Sequence, residues 1–178
     1  MTLTPTQEHQ TEMCHAYYDG APGVVVSSLV WFSSAFVCWQ FGIEKAVWTL
    51  LVGGALIHPL SLVLTKVLRR PAVTHKDNAL NTLAITSTVW LIVCCAMSYG
   101  LYLLHPKLFY PAMMACIGSR FLIFASIYGK RFFILLGACL ILAANAALFL
   151  QLPNAVAATL SGAIELGFAI VLFTASKK

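Results

Sequence analysis

Residues 132–151 read FFILLGACLILAANAALFLQ, a run of twenty residues without a charged side chain. A helix that crosses the hydrocarbon core of a bilayer needs about 20 consecutive, mostly apolar residues. The run has that length and that composition, so it predicts one membrane-spanning helix.

Five other segments of the chain have the same character. Connections that contain glycine or proline, such as Gly42, Pro106, Gly129 and Pro153, separate most of them. Because these connections are short, neighbouring helices are expected to be antiparallel. The sequence therefore predicts an all-α fold, a polytopic membrane protein built as a six-helix bundle, with spans at about 22–41, 44–67, 82–104, 108–128, 132–151 and 154–175.

The composition supports this fold class. The 178 residues are 60% hydrophobic and 10% charged, with a mean hydropathy of +0.86. A soluble domain carries about 25% charged and 45–50% apolar residues. A chain of this length and composition has more apolar surface than one small core can bury. These values exclude an ordinary soluble enzyme, a nucleic-acid-binding protein and a disordered chain.

The basic residues between the spans are distributed unevenly. If both termini lie on one side, that side carries eight Lys and Arg residues and the other side carries two, Lys45 and Lys107. Because basic loops tend to stay in the cytoplasm, this bias predicts that both termini are cytoplasmic. The remaining basic residue, Arg120, lies within a span.

Two segments lie outside the spans. Residues 1–20 are polar and lack the basic and apolar regions of a cleavable signal peptide, so we expect a mobile cytoplasmic tail. The membrane domain then covers residues 21–176. Within it, residues 68–81 form a basic loop, which we expect on the cytoplasmic face.

The two halves of the membrane domain show a weak internal similarity. Residues 41–53 share a Gly, Lys and Leu-Gly pattern with residues 128–137, and residues 81–88 share an Asn, Ala and hydroxyl pattern with residues 154–161. Two halves of three spans each would have opposite orientations in the membrane. The sequence is therefore compatible with a 3+3 inverted repeat, an arrangement found in many secondary transporters.

Three stretches of the sequence carry a family resemblance. They are HPLSLVLTK at 58–66, KDNALN at 76–81 and YPAMMACIGSRFL at 110–122. Over roughly residues 20–145 the chain resembles an uncharacterised family of small bacterial integral membrane proteins of unknown function. The resemblance implies a location in the bacterial inner membrane and implies no activity. Where this chain has Ala79 and Arg120, Pro and His are common in that family.

Four polar residues lie within the predicted spans. A charged side chain at the centre of a membrane helix costs about 2.5–3.5 kcal/mol on insertion scales, so such residues usually face a partner or a cavity. His58, Arg120 and Glu165 each lie within about two residues of the middle of their spans and therefore share one depth. Asn145 lies nearer the outer leaflet of the membrane. We treat these four residues as a candidate intramembrane polar site.

The shared depth suggests that Arg120 and Glu165 form an ion pair, with His58 close enough to share protons. Such groups mark ion paths, proton relays and substrate sites, and they predict a small permease or channel-like protein. In that hypothesis Arg120 binds an anionic group or keeps Glu165 ionised. The alternative is a purely structural pair whose members offset each other's cost of insertion.

The basic loop is the second candidate site. Its candidate residues are Arg69, Arg70, Lys76, Asp77 and Asn78. Asp77 or Asn78 is suited to cap the following helix. The loop is also suited to contact anionic lipid headgroups or a cytoplasmic partner. This second role predicts a different function, that of a membrane accessory or scaffold protein that does not transport.

Signatures of catalysis are missing. The sequence contains no G-x-S-x-G, H-E-x-x-H, P-loop or dinucleotide-binding fingerprint. We therefore expect no enzymatic activity, no cofactor, no metal site and no nucleic-acid partner. The lipid bilayer is the expected environment. Because 178 residues are few for a complete transport path, a homodimer is a plausible assembly.

Overall fold

The computed structural model describes residues 4–175, and all regular structure within them is helical. Two short 3-10 turns, Tyr18–Gly20 and Pro106–Leu108, interrupt the path of the chain. The α-helices are α1 (Pro5–Tyr17), α2 (Ala21–Phe41), α3 (Ile43–Val67), α4 (Leu80–Leu104), α5 (Phe109–Tyr128), α6 (Phe132–Phe149) and α7 (Asn154–Ala175).

Six helical segments are long and apolar enough to cross a membrane. The first of them, Pro5–Phe41, joins the polar helix α1 to the apolar helix α2. The bounds of α2 to α7 differ from the predicted spans by two residues at most. The predicted fold class is therefore confirmed, and the protein is a multi-pass, all-α membrane protein.

Helices α2 and α5 organise the bundle. Helix α2 packs along its length against α3 on one side and α7 on the other, and α5 packs against α6 and α4. Contacts between α6 and α7 join the two groups, which gives the lateral order α3, α2, α7, α6, α5, α4. Helices α3 and α4 follow each other in the chain but occupy the two ends of this row.

The contact between α3 and α4 is sparse in the described part of the chain. The rings of Trp48 and Tyr99, with centroids 5.7 Å apart, join the two helices near one end of the bundle. Large apolar side chains of both helices are exposed towards the other end, including Val63, Val67 and Ile85. Because lipid tails can cover such surfaces, this exposure is expected of edge helices in a bilayer.

The pairing of the helices agrees only in part with two inverted halves, because α6 contacts α7 whereas α3 and α4 barely meet. In each half the first helix packs closely against the second, α2 against α3 and α5 against α6. A glycine permits the approach in both pairs. A Cβ on Gly53 would lie 2.6 Å from Val30 Cγ1, and a Cβ on Gly137 would lie 2.6 Å from the carbonyl oxygen of Gly118. The inverted repeat itself stays a prediction.

Helix α1 lies within the segment that the sequence predicted as a mobile tail. A capping box starts the helix, since Thr4 Oγ1 accepts from Gln7 N (3.4 Å) and Gln7 Oε1 accepts from Thr4 N (3.0 Å). Its buried residues, Met13 and Ala16, pack against the bundle. A polar composition was compatible with disorder, but it also supplies the hydrogen bonds that fix this helix. Residues 1–3 and 176–178 lie outside the described part of the chain.

Candidate functional site

Glu165 is the most deeply buried acidic residue of the described chain. It lies on the face of α7 that packs against α2, and its relative exposure is 0%. The indole Nε1 of Trp31, on α2, donates to Glu165 Oε1 at 3.0 Å. Ser27 lies one turn before Trp31 on the same face and close to the carboxyl group. The Trp31 indole and the Ser27 hydroxyl, both neutral, are thus the hydrogen-bonding neighbours of the carboxyl group.

Two buried polar atoms beside this contact have no hydrogen-bond partner among residues 4–175. They are Glu165 Oε2 and Ser161 Oγ. The two residues are four positions apart on α7, so both side chains are on one face of the helix. Native structures rarely leave such atoms unpaired, and each case calls for an explanation. The α2–α7 interface therefore contains a small polar site with unused hydrogen-bonding capacity.

The surroundings of the carboxyl group are closely packed. A Cβ on Gly162 would lie 3.1 Å from the ring of Phe32, which shows how near α7 comes to α2. Ser28 and Ala158 are completely buried in the same region. The small side chains let the two backbones approach, as is common between membrane helices. We call Ser27, Trp31, Ser161 and Glu165 the acidic site.

Further polar groups continue along α2. Ser34, three residues after Trp31, donates to the carbonyl oxygen of Ala46 at 2.9 Å. The Ser34 Oγ also lies 2.8 Å from the hydroxyl of Tyr110, which must then be the donor. The rings of Trp31 and Tyr110 are 6.2 Å apart. One face of α2 therefore carries a line of hydrogen-bonding groups from Ser27 to Ser34.

Arg120 lies in a different part of the bundle, between α5 and α4. Its Nε donates to Ser87 Oγ at 3.1 Å, and its Nη2 is 3.5 Å from Thr88 Oγ1. Its Cζ lies 5.1 Å from the ring centroid of Phe124. Trp90, also on α4, donates to Ser119 Oγ at 3.2 Å. We call Arg120, Ser87, Thr88, Trp90 and Ser119 the basic site.

The predicted ion pair between Arg120 and Glu165 is not formed. The salt bridge that the described residues contain joins Lys130 Nζ to Asp19 Oδ2 at 2.7 Å, at the α1 end of the bundle. Arg120 faces α4, whereas Glu165 faces α2. A common depth does not determine the direction in which a side chain points around its helix, and here the two directions differ.

The other two predicted intramembrane residues lie on exposed faces. His58 is exposed on α3, and its carbonyl oxygen accepts from Ser61 Oγ at 2.7 Å. Asn145 is exposed on α6, where its Nδ2 donates to the carbonyl oxygen of Ile141 at 2.8 Å. Neither belongs to the acidic site or the basic site. The proton-sharing role predicted for His58 therefore has no support in this arrangement.

The basic loop is tied to helix α1. Glu12 Oε1 accepts from the backbone nitrogen of His75 at 2.5 Å, and Glu12 Oε2 accepts from Asn78 Nδ2 at 2.7 Å. These hydrogen bonds to the carboxylate lower the pKa of Glu12 below its usual value. Asn78 Oδ1 accepts from Leu80 N at 3.0 Å in a turn just before α4, whereas the N-cap of α4 is Ala79, which has no side-chain cap hydrogen bond. Sequence reasoning did not identify Glu12 as the partner of this loop.

The charged residues of the loop remain largely outside these contacts. Arg69, Lys76 and Asp77 are exposed. Arg70 is half-buried, with its guanidinium carbon 5.0 Å from the ring centroid of Tyr18. The loop thus has a structural half, centred on Asn78, and an exposed charged half.

Two open clefts lie at opposite ends of the bundle. One, of about 390 Å³, lies between α1 and the basic loop and is lined by Glu12, His15, Ala16, Pro71, Val73, Thr74 and His75. The other, of about 370 Å³, is lined by His105, Lys107, Leu108, Ala147, Leu148, Gln151 and Leu152. Across residues 4–175, no group of three or more His, Cys, Asp or Glu side chains is arranged to hold a metal ion.

Comparison with known proteins gives a family and no activity. Residues 6–175 match the family described as "Family of unknown function (DUF7010)". Neither the curated proteins nor the solved structures contain a match to the chain. A functional interpretation must therefore come from the chemistry of the two sites.

Proposed function

We propose that this chain, which belongs to the DUF7010 family of unknown function, is a small permease or channel-like protein in which Glu165 carries a proton through the membrane. The observation that carries the proposal is the state of the Glu165 carboxyl group. It is completely buried at the α2–α7 interface, and one of its two oxygens has no partner within residues 4–175.

The buried carboxyl group of Glu165 is energetically unfavourable for the fold. A buried polar group that lacks a hydrogen bond destabilises a protein, and an isolated buried charge does so far more. An apolar side chain at position 165 would pack without that cost. An acid retained in such a place is a functional candidate by default in a membrane protein. A carboxyl group can exist in neutral and charged forms, so proton uptake and release is the chemistry that it offers.

The neighbours of the carboxyl group suit both forms. A protonated Oε2 becomes a donor, and Ser161, one turn away on the same face of α7, carries a hydroxyl that also lacks a partner within residues 4–175 and is not hydrogen-bonded to the carboxyl group. The Trp31 N–H donates to Oε1 in either form. The line of groups on α2, which continues to Ser34 and Tyr110, supplies further hydrogen-bonding positions towards one end of the bundle.

The proposal changes the roles that the sequence suggested. The proton carrier is Glu165 alone, because His58 is exposed on α3 and Arg120 faces α4. Any movement of the proton also requires α2 and α7 to separate enough to admit water. The packing of Gly162 against Phe32 opposes such a separation.

The test is a proton-flux assay with purified protein in liposomes. An imposed membrane potential drives protons inwards, and an internal pH-sensitive dye records the change. We expect a faster change with the wild-type protein than with Glu165→Gln, whose amide keeps the size and the acceptor for Trp31 but cannot carry a proton. Asn145→Ala is the matched control, because Asn145 is an exposed polar residue of α6 whose amide bonds within its own helix.

Two results would contradict the proposal. One is a wild-type flux equal to that of protein-free liposomes. The other is a Glu165→Gln flux equal to that of Asn145→Ala. Infrared spectroscopy gives an independent readout. The wild-type protein should show the carbonyl band of a protonated Glu165, and Glu165→Gln should lack it.

The accessory-protein hypothesis has one observation in its favour. Helix α1 holds the basic loop in a fixed shape while Arg69, Lys76 and Asp77 stay exposed. A fixed, charged surface suits a protein partner or anionic headgroups. This hypothesis predicts that Lys76→Ala and Arg69→Ala change co-purifying proteins, whereas Glu165→Gln does not. The proton-carrier hypothesis predicts that Glu165→Gln lowers the proton flux, whereas Lys76→Ala and Arg69→Ala leave it unchanged.

The location is also a proposal. We infer a location in the bacterial inner membrane from the family resemblance. We infer that both termini are cytoplasmic from the eight basic residues on the side of the membrane that carries the termini. A green fluorescent protein fused to the C-terminus should fluoresce, since it folds in the bacterial cytoplasm. A non-fluorescent fusion that is nevertheless inserted in the membrane would reverse this topology. Cross-linking in native membranes tests the proposed homodimer.

A further inference from the structure

We propose that the basic site binds the anionic phosphate headgroup of a membrane phospholipid that enters from the bilayer between α4 and α5. The proposal does not depend on the proton-carrier function of Glu165. It rests on the hydrogen bonds, the exposure and the position of Arg120.

The guanidinium of Arg120 is incompletely satisfied by the protein. A guanidinium has five N–H donors and stays charged under all physiological conditions. The described residues supply two acceptors, the hydroxyl oxygens of Ser87 and Thr88, and the contact to Thr88 is long at 3.5 Å. No carboxylate oxygen within residues 4–175 lies within salt-bridge distance of Arg120. The charge is therefore oriented by neutral groups and neutralised by none of them.

The position of Arg120 makes this charge costly without an anion. Arg120 lies eight residues before the last residue of α5, Tyr128, which corresponds to about 12 Å along the helix axis. Ser87 lies seven residues into α4, at about 10 Å from its start. Half of the hydrocarbon core is about 15 Å thick, so the group is well inside the apolar layer if the helix ends mark its edge. A charge at such a depth usually has a partner.

The basic site is open on the side that faces lipid. Thr88 is exposed, and Trp90 is 46% exposed, whereas Ser87 is completely buried behind them. Helix α4 is an edge helix of the row, and α3 does not cover it at this end. A ligand can therefore approach Arg120 from the bilayer. The acidic site, in contrast, is enclosed by α2 and α7.

The chemistry of the opening fits a phospholipid. A guanidinium matches a phosphate group because two parallel N–H donors can meet two phosphate oxygens. The Trp90 indole N–H is bonded to Ser119 Oγ, which leaves its ring exposed to the bilayer beside the charge. The N–H edge of the indole thus meets the hydroxyl of Ser119, and its exposed ring can be covered by acyl chains. If the phosphate of a phospholipid contacts Arg120, the acyl chains of that lipid can lie along the exposed apolar face of α4, which includes Val89 and Val93.

The experiment compares lipid-dependent stabilisation in two variants. The full chain is purified in a mild detergent, and its thermal unfolding is followed while phosphatidylglycerol, phosphatidylcholine or free glycerol phosphate is titrated. Arg120→Gln removes the proposed binding group. Arg131→Gln removes one exposed cation from the loop after α5 and is the matched control, because both variants lose one positive charge.

The proposal predicts that phosphatidylglycerol raises the midpoint of unfolding of the wild-type protein and of Arg131→Gln. The Arg120→Gln substitution removes the charge-assisted hydrogen bonds to the phosphate, which are the strongest contacts of the proposed site. Arg120→Gln should therefore need about tenfold more phosphatidylglycerol, or more, for the same rise. Phosphatidylcholine should have a smaller effect on the wild-type protein, because its headgroup carries no net charge. Native mass spectrometry should show fewer phosphatidylglycerol molecules retained by Arg120→Gln than by Arg131→Gln.

Arg120→Lys keeps the test informative if Arg120→Gln does not fold. This variant retains the charge and loses the forked geometry, so we expect a weaker response to phosphatidylglycerol than that of the wild-type protein. The proposal would be overturned if phosphatidylglycerol stabilised Arg120→Gln as much as it stabilises Arg131→Gln. If Arg120→Gln does not fold, the same comparison is made between Arg120→Lys and Arg131→Gln. An equal stabilisation by free glycerol phosphate would also overturn the proposal, since that result would identify a soluble anion as the ligand.

Discussion

The acidic site and the basic site solve the same problem in different ways. Glu165 is completely enclosed between α2 and α7, whereas Arg120 is only partly covered by α4 and α5. A carboxyl group can become neutral by binding a proton, so it can be sealed inside the bundle. A guanidinium cannot lose its proton, so it needs an anion or access to a polar phase. The chemistry of the side chain therefore determines how open its site is.

The largest expected difference in the free energy of unfolding is between variants of the tryptophans in the two sites. Trp31→Phe removes the indole N–H that donates to Glu165 Oε1 at 3.0 Å and leaves this buried oxygen without that hydrogen bond. We expect a loss of about 1–3 kcal/mol in the free energy of unfolding. Trp90→Phe is the matched control, because Trp90 is exposed and its partner Ser119 keeps a hydrogen bond to the carbonyl oxygen of Cys116. We expect a loss below about 0.5 kcal/mol there. Denaturant titration in detergent measures both, and equal losses would remove the distinction between an enclosed and an open site.

Glycine substitutions test the packing of the two regions. Gly100→Ala, on α4, adds a methyl group that meets no atom within 4 Å. We expect a gain of up to about 1 kcal/mol in the free energy of unfolding, because alanine favours a helix more than glycine does. Gly162→Ala, beside the acidic site, places a Cβ 3.1 Å from the Phe32 ring, which must move. We expect a smaller gain or a loss. Comparable gains in the two variants would show that the α2–α7 interface is as loosely packed as the surface of α4.

A double-mutant cycle tests the separation of the two charged groups. The free energies lost in Arg120→Ala and Glu165→Ala should add in the double variant to within about 0.5 kcal/mol, because the residues share no partner. Unfolding of the four proteins in one detergent gives the coupling energy. A coupling of about 1 kcal/mol or more would place the two side chains in one network and restore the ion pair that the sequence suggested.

The smallest expected effect concerns Glu12, a carboxyl group outside the membrane-spanning helices. Its pKa is lowered by the hydrogen bonds from His75 and Asn78. Its contribution to stability is therefore present above the unfolded pKa of about 4.3 and is lost as the pH falls through the lowered value. Hydrogen exchange of the His75 amide, corrected for the intrinsic rate, should increase at low pH.

Two variants separate this effect from general acid unfolding. Glu12→Gln should show the faster exchange of His75 already at neutral pH and little further change on acidification. Glu8→Gln, which alters an exposed residue of the same helix, should behave like the wild-type protein. If all three proteins have the same pH profile, Glu12 does not hold the basic loop.

The sequence predicted part of the two candidate sites. Sequence reasoning selected Glu165 and Arg120, and the structure places one at the α2–α7 interface and the other between α4 and α5. It proposed Asp77 or Asn78 as the cap of α4, where the structure has Ala79 as the N-cap and Asn78 in the turn before it. It missed Trp31 and Ser161. The available signal was the spacing of polar residues at 27, 31 and 34, and again at 161 and 165, which places each set on one helix face. That spacing does not reveal which neighbouring helix the face meets.

The sequence by itself determined the number, length and order of the membrane helices, because a bilayer requires runs of apolar residues whose length can be counted. It also predicted the position of each polar residue along its helix, since that position follows from the rise per residue. Only the tertiary structure decided which side chains meet. That choice depends on which helices become neighbours and how each is rotated, and close contacts such as Gly137 with Gly118 fix both. The same packing placed Glu165 against Trp31, Arg120 against Ser87, and the polar helix α1 on the basic loop.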